Sequence, residues 1–99
     1  MARRFIDELR ISPGAEDELW GHRISPDEVL EVLWDDPAFF KDKVQGRSLM
    51  IGRTDGNRRL LTVVIEPTDT AGSWDVVTGW DSDKGETTQW RKRQGRTRT

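Results

Sequence analysis

The sequence predicts an α+β fold with N-terminal helices, an antiparallel meander of four to five strands and a C-terminal helix. Two Ser-Pro pairs in the first third of the chain predict helix starts, and an Asp-Gly pair between two β-prone runs predicts a hairpin. The last third contains a run of helix formers without proline. Because only 33% of the 99 residues are hydrophobic, we expect one small domain spanning residues 1–99.

The second Ser-Pro pair carries the stronger helix signal. Ser25-Pro26-Asp27-Glu28 is a capping box with proline at the first helical position, and the residues after it predict a helix that ends near residues 35–37. Ser12-Pro13 repeats the pattern. This pair predicts a shorter helix over residues 14–20, which Gly21 closes.

The hairpin organises the predicted sheet. Asp55-Gly56 separates the β-prone runs 47–53 and 58–65, and the second run is apolar enough for a central strand. Weaker strands are predicted before the hairpin, over residues 38–44, and at the start of the chain, over residues 3–11, where apolar side chains roughly alternate.

A further strand is predicted over residues 74–80, after a polar loop. By the two-residue period of a strand, one face of it would carry Trp74, Val76, Thr78 and Trp80.

Residues 82–94 predict the C-terminal helix, and a basic tail begins at about residue 91. The tail carries no acidic residue, and its bases are Arg91, Lys92, Arg93, Arg96 and Arg98. Blocks of like charge stay solvated, so we expect an interaction arm that is frayed from about residue 91, with residues 97–99 frayed at its end.

Composition excludes several classes of site. The chain has no cysteine and one histidine, His22, which excludes disulfides, thiol nucleophiles and thiolate metal sites. It also has no Gly-rich phosphate loop and no Gly-x-Ser-x-Gly motif. The acid pairs Asp35-Asp36 and Asp81-x-Asp83 leave a carboxylate metal site possible, but acids at helix ends are more often solvated caps. We therefore expect neither a metal nor an organic cofactor. No apolar run approaches the roughly 20 residues of a membrane span, and no signal peptide is recognised, so a cytoplasmic protein is expected.

Charge is unevenly distributed, although the net charge is only −2. Residues 1–36 carry ten acidic and four basic side chains, whereas residues 81–99 carry three acidic and six basic ones. This asymmetry predicts two surfaces with different partners; the alternative is a set of ordinary solvated faces.

Basic residues on the predicted meander, with aromatic residues nearby, are typical of a surface that binds single-stranded RNA. We expect Lys41, Lys43 and Arg47 to alternate onto one face of the sheet, and Arg53 and Arg58 to face each other across the hairpin. The full set of expected RNA-binding residues is Lys41, Lys43, Arg58, Arg59, Trp80, Trp90, Arg91 and Arg93. The alternative is that the tryptophans belong to the core and the arginines only keep the strand ends soluble.

Several short segments, in the same order along the chain, resemble the BrnT toxins, small ribonucleases of type II toxin–antitoxin systems with a RelE-like fold. The likeness covers roughly residues 13–93. The segments that carry it are HRISPDEV at 22–29, LWDDP at 33–37, MIGRT at 50–54 and RLLTVV at 59–64. Glu86 and Trp90 lie at the positions of a glutamate and an aromatic residue of the family.

The chain departs from the family after the last strand. The family has Ser-Ala-Arg-Lys-Ala there, and its arginine belongs to the proposed active site. In this chain the stretch is Thr78-Gly79-Trp80-Asp81-Ser82, so Trp80 stands at the arginine position. The family's arginine near the start of the hairpin matches Arg47.

The resemblance implies an endoribonuclease toxin that cleaves RNA without a metal and is neutralised by a cognate antitoxin of ribbon-helix-helix or helix-turn-helix type. Such cleavage needs a base for the 2′-hydroxyl, a cation for the phosphorane and an acid for the 5′-oxygen. Glu86 or His22 is the expected base, and charge stabilisation is expected from Arg47, Arg53 and Lys84. His22 has an alternative structural role beside the second helix.

Three other outcomes stay open at this point. A non-catalytic module of the same fold would bind nucleic acid or protein without cleaving it. A regulator would use the basic tail, residues 91–98, to bind nucleic acid. The chain could also form a homo-oligomer.

Overall fold

The computed structural model describes residues 6–54 and 59–97, with side chains through residue 94. This part of the chain forms three helices and five strands, which confirms the α+β class. In chain order the elements are β1 (Glu8–Arg10), α1 (Pro13–Gly21), α2 (Pro26–Trp34), β2 (Ala38–Lys41), β3 (Ser48–Arg53), β4 (Leu60–Pro67), β5 (Ser73–Asp81) and α3 (Lys84–Thr97).

The strands form one mixed sheet in the order β1-β5-β4-β3-β2. The meander from β2 to β5 is antiparallel, as predicted. However, β1 pairs with β5 in parallel, so the expectation of a fully antiparallel sheet is wrong at this edge. Hairpin-type loops impose antiparallel pairing on the meander, whereas β1 and β5 are far apart in the chain. The long connection between them allows the crossover that a parallel pair needs.

Both N-terminal helices begin at the predicted serine caps. Ser25 Oγ accepts from the Glu28 N–H at 3.2 Å, and Glu28 Oε1 accepts from the Ser25 N–H at 3.0 Å, which confirms the capping box. Ser12 Oγ accepts from the Ala15 N–H at 3.1 Å at the start of α1. These reciprocal bonds satisfy amides that have no partner within a helix.

α1 and α2 cover one side of the sheet, which we call the helical face. The main core lies between them and the sheet, and its fully buried side chains are Leu19, Ile24, Val29, Val32, Met50, Leu61, Val63 and Ile65. Two glycines allow this close packing. A Cβ added to Gly52 would lie 3.1 Å from Pro37 Cβ, and one added to Gly79 would lie 3.3 Å from Leu19 Cδ2.

A β-bulge in β5 changes which side chains share a face. Val64 lies opposite Thr78 and Ile65 lies opposite Val76, so Val77 is an extra residue on β5. An inserted residue reverses the alternation along a strand. Trp74 and Val76 therefore pack on the helical face, whereas Thr78 and Trp80 lie on the opposite side. The prediction that these four side chains share one face is wrong.

β3 and β4 form the predicted hairpin. The Thr54 N–H donates to Arg59 O at 2.9 Å, and the Arg59 N–H donates to Thr54 Oγ1 at 3.2 Å, so the two strand ends are tied together. The Asp-Gly turn itself, and Arg58 with it, lies outside the described residues.

α3 packs on the side of the sheet opposite α1 and α2, which we call the open face. Trp90 is buried there in a second cluster with Ala38, Ile51 and the partly buried Phe40 and Leu60. The helix continues to Thr97, so the tail is not frayed from residue 91, and the predicted fraying of residues 98 and 99 lies outside the described residues. Trp90 anchors the helix and thereby stabilises the turns that follow it.

Candidate nucleic-acid interface

The open face carries most of the residues that the sequence associates with RNA. β3 presents Arg47, Leu49, Ile51 and Arg53 on this face, because Met50 between them packs into the main core. β4 and β5 add Thr62 and Trp80, which lie opposite each other. The acidic helices α1 and α2 lie on the other side of the sheet. The acidic first third of the sequence and the basic last helix therefore lie on opposite sides of the sheet.

Arg53 and Trp90 form the centre of this surface. The guanidinium carbon of Arg53 lies 4.8 Å from the centroid of the Trp90 ring, a cation–π contact. Arg53 is exposed, and it forms no ion pair with any residue in the described part of the chain. Its charge is thus held in place by an aromatic ring and is not neutralised by a carboxylate.

Glu86 is fixed at the start of α3. The Trp80 indole N–H donates to both carboxylate oxygens, at 3.0 Å to Oε1 and 3.2 Å to Oε2. Glu86 also accepts from the Asp83 N–H at 2.9 Å, while Asp83 Oδ1 accepts from the Glu86 N–H at 2.8 Å. This is a second capping box, which the spacing Asp83-x-x-Glu86 could have predicted. Trp80 therefore orients the candidate base.

Two hydroxyl groups lie beside Trp80. Thr62 Oγ1 and Ser82 Oγ are 2.8 Å apart, and Thr62 is fully buried. Since Ser82 is partly exposed, this pair adds hydrogen-bonding capacity near Glu86 that the sequence analysis did not identify.

Arg47 lies on the same face but at the other end of β3. Arg53 is six residue steps further along the chain, a distance of about 20 Å at roughly 3.3 Å per residue of strand. Its Nε is 3.1 Å from Glu66 Oε2, and Arg10 forms a similar pair with Asp75 at 3.2 Å. Arg47 is therefore paired and cannot share one phosphate with Arg53.

Lys41 and Lys43 do not join Arg47 on one face, so that expectation is wrong. Lys41 lies opposite Ser48 and is oriented toward the helical side, whereas Arg47 precedes Ser48 and is oriented toward the open face. Lys43 follows the end of β2, where the chain turns and the alternation of a strand no longer applies.

Arg59 forms hydrogen bonds and ion pairs with other elements of the fold. Its Nη1 donates to Glu28 Oε2 at 3.1 Å and to the Arg23 carbonyl at 2.9 Å, and its Nη2 lies 3.0 Å from Asp81 Oδ1. Only 25% of its side chain is exposed. This network links α2, the loop before it and the end of β5, so Arg59 is positioned to stabilise the fold.

His22 and Glu86 lie on elements that the sheet separates. His22 is the exposed C-cap of α1, which packs on the helical face. Lys84 is exposed in the first turn of α3, close in sequence to Glu86. Lys84 therefore lies on the same helix as Glu86, whereas His22 lies on the other side of the sheet.

The basic segment after Trp90 contacts the sheet through Arg93. Its guanidinium carbon lies 4.6 Å from the centroid of the Phe40 ring, and its Nη1 donates to the Phe39 carbonyl at 3.3 Å. Arg91 and Lys92 are exposed. The segment is a helical extension of the open face, where we had expected a detached arm.

The Trp90 indole N–H is buried and has no hydrogen-bond acceptor among the residues that the structure describes. An unsatisfied buried donor costs about 1–3 kcal/mol. Apolar contact and the Arg53 stack therefore hold Trp90 in place against this cost. Trp20 and Trp34 are 55% and 76% exposed, so the alternative that the tryptophans belong to the core is wrong for these two.

A cleft of about 470 Å³ lies away from this centre, beside the start of α1. Its charged lining residues are Arg10, Glu18, Glu66 and Asp75. Arg10 is the one basic residue among them and pairs with Asp75, whereas Glu66 pairs with Arg47 and Glu18 accepts from Thr78. Since the cleft offers no unpaired cation for a phosphate among its described lining residues, we place the candidate site at Arg53 and Glu86.

Within the described residues, no group of three or more histidine, aspartate or glutamate side chains is arranged to hold a metal ion. None of the described helices has the length and apolar character required to cross a membrane.

No model of a known protein family matches the chain, and no curated protein is detectably similar to it. The resemblance to the BrnT toxins therefore stays a prediction that rests on the short segments and on their order.

Proposed function

We propose that this protein is an endoribonuclease toxin of a type II toxin–antitoxin system that binds single-stranded RNA on the open face. The observation that carries the proposal is Arg53, an exposed cation stacked on Trp90 with no carboxylate partner among the described residues. A free cation beside aromatic rings suits a phosphate flanked by unstacked bases.

In the proposed reaction, Glu86 takes the proton of the 2′-hydroxyl, and the 2′-oxygen attacks the neighbouring phosphorus. Arg53 stabilises the charge that develops on the phosphorane, with Lys84 as a second cation near the start of α3. The bond from phosphorus to the 5′-oxygen breaks, and the 5′-oxygen takes a proton from a water molecule while protonated Glu86 returns its proton to solvent. The products are a 2′,3′-cyclic phosphate and a free 5′-hydroxyl. The Trp80 hydrogen bonds support this role because they fix the direction of the carboxylate.

Cleavage is tested with the purified chain and a labelled single-stranded RNA at low salt, in the presence of EDTA. We expect cleavage by the wild type, a loss of about 100-fold or more with Glu86→Gln, and weaker binding with Arg53→Ala. Lys41→Ala is the matched control, since it removes an exposed cation that lies off the open face. Binding should weaken as salt rises, because phosphate contacts release counterions.

A second candidate function is a non-catalytic RNA-binding module. It is favoured by the hydrogen bonds that already occupy Glu86, from Trp80 and from the Asp83 amide. The same assay separates the two: a protein that binds RNA through Arg53 but leaves it intact is the module. A wild type that neither binds nor cuts RNA at low salt contradicts both proposals.

The toxin role has a separate cellular test. Expression of the wild type should arrest growth, Glu86→Ala should relieve the arrest, and co-expression of a neighbouring ribbon-helix-helix or helix-turn-helix protein should restore growth. Unimpaired growth with an RNA-cleaving wild type would reject the toxin role and keep the nuclease.

A further inference from the structure

β2 is a free edge of the sheet, and its unpaired backbone groups can be assigned. Within residues 6–54 and 59–97, β2 pairs only with β3, and the Asp42 N–H extends this pairing with a 3.2 Å bond to Arg47 O. Hydrogen bonding alternates along an antiparallel pair, so Phe40 bonds to β3 as Asp42 does. Phe39 and Lys41 then direct their N–H and C=O groups away from the sheet. The bond from Arg93 to the Phe39 carbonyl agrees with this direction.

Exposed apolar side chains flank this edge. Trp34, just before β2, is 76% exposed, and Val44, just after it, is 50% exposed. Phe39 and Phe40 between them are partly buried, one on each face of the strand. An unpaired strand bordered by apolar groups is a template for a further strand.

The charges around β2 indicate which strand can pair with its free edge. Asp35 and Asp36 are exposed and precede β2, whereas the exposed Lys41 and Lys43 lie at its end and beyond, on either side of the partly buried Asp42. The first end therefore carries two negative charges, and the second end keeps one net positive charge. Two copies of β2 in antiparallel alignment bring the acidic end of each beside the lysine end of the other. Parallel alignment would place like charges together. The edge is therefore complementary to itself about a two-fold axis.

We propose that the β2 edge pairs with the β2 edge of a second copy, forming a closed two-fold dimer. With the axis at Phe40, Phe39 of one copy lies opposite Lys41 of the other, and these residues exchange their outward N–H and C=O groups. Arg93 can keep its bond, since a carbonyl oxygen has two lone pairs. The two-fold axis lies between the two β2 strands, so the β2 edge of each copy is occupied and no third copy can add to it.

This dimer has a consequence for the proposed function, although the pairing itself does not rest on it. The two-fold axis is perpendicular to the continuous sheet, so both open faces lie on the same side. Two Arg53–Trp90 centres then face one strand of RNA. The proposed RNA sites could thus act on a single long RNA molecule together.

Self-association is measured by sedimentation velocity on the full chain. The concentrations run from about 10 μM to 1 mM, because a short edge contact is smaller than a standard interface and the dimer is expected to be weak. We expect a concentration-dependent shift from one chain to two. Amide hydrogen exchange should slow with concentration at Phe39 and Lys41, whose N–H groups pair only in the dimer.

Lys41→Pro is the informative variant, because it removes an outward N–H and leaves the bonds to β3 intact. It should stay monomeric with an unchanged circular dichroism spectrum, while Lys41→Ala, which keeps the N–H, should still dimerise. Lys43→Glu should raise the dimer Kd by about tenfold, and Asp35→Lys added to it should restore the affinity.

A chain that stays monomeric at 1 mM would overturn the proposal. Unchanged dimerisation of Lys41→Pro, or concentration-independent exchange at Phe39 and Lys41, would place any dimer at another surface. These variants leave Arg53 and Glu86 unchanged, so failure of the dimer is distinct from failure of the RNA site.

Discussion

Replacing Arg59 by methionine tests whether this arginine stabilises the fold or binds RNA. Methionine keeps an apolar stem but removes the guanidinium that bonds Glu28, Asp81 and the Arg23 carbonyl. The side chains of Arg59 and Glu28 are 25% and 12% exposed, so the Glu28 carboxylate would lose its cation in a largely buried position.

The expected loss of unfolding free energy is about 2 kcal/mol. Hydrogen bonds to charged groups contribute about 1.5–3 kcal/mol each, and breaking a fully buried pair costs about 3–5 kcal/mol. We take a value below the second range because Asp81 is 65% exposed and part of the network is screened by solvent. For a domain of this size, 2 kcal/mol lowers the melting temperature by about 8–16 °C.

The assay is thermal unfolding by circular dichroism, combined with RNA binding below the transition. Arg59→Met should melt early and bind RNA nearly as well as the wild type. In a double-mutant cycle, Glu28→Gln should reduce the effect of Arg59→Met, since the charge left unpaired is then absent. Arg59→Lys should be intermediate, because lysine lacks the planar fork that reaches several acceptors.

The opposite pattern would refute this reasoning. If Arg59→Met melts within about 2 °C of the wild type but binds RNA weakly, and Arg59→Lys restores binding, then Arg59 acts as a cation for phosphate. The ion-pair network would then contribute little to stability.

Three further predictions concern stability. Ser25→Ala removes the cap of α2 and should cost about 1 kcal/mol, seen as a melting temperature about 4–8 °C lower; an unchanged value would mean that the capping box contributes nothing. Trp90→Phe removes the unsatisfied N–H and should change the free energy of unfolding, measured by chemical denaturation, by less than about 1 kcal/mol. Trp90→Ala also removes the buried ring and should cost about 3–5 kcal/mol. If both variants lost the same free energy of unfolding, the indole N–H would be satisfied. Truncation after Trp90 removes exposed contacts that include those of Arg93 and Gln94 to the Phe39 and Asp36 carbonyls. The melting temperature should fall by a few degrees, while affinity for a polyanion drops at low salt; global unfolding would show that the last turns are part of the core.

Local signals in the sequence predicted the elements correctly. The Ser25 capping box, the Ser12 cap and the strand pair around the Asp-Gly turn depend on hydrogen bonds and turn preferences between residues a few positions apart. Such interactions are present in the sequence itself, so a short window is enough to predict them. The second capping box, Asp83 with Glu86, belongs to the same class and was readable in the same way.

The faces and the partners were decided only by the tertiary structure. One extra residue, Val77, moved Trp80 to the open face, and no local pattern shows which residue of β5 bulges against β4. The parallel pairing of β1 depends in the same way on a strand more than 60 residues away.

The candidate site illustrates the same limit. Basic residues alone did not distinguish Arg59, which is paired with Glu28 and Asp81, from Arg53, which stacks on Trp90. Each partner is remote in sequence, and a cation is available to RNA only when folding places no carboxylate beside it. The sequence alone thus determined which elements form and which residues carry charge. The packed structure decided which charges remain unpaired, because contacts between distant residues exist only once the sheet has formed.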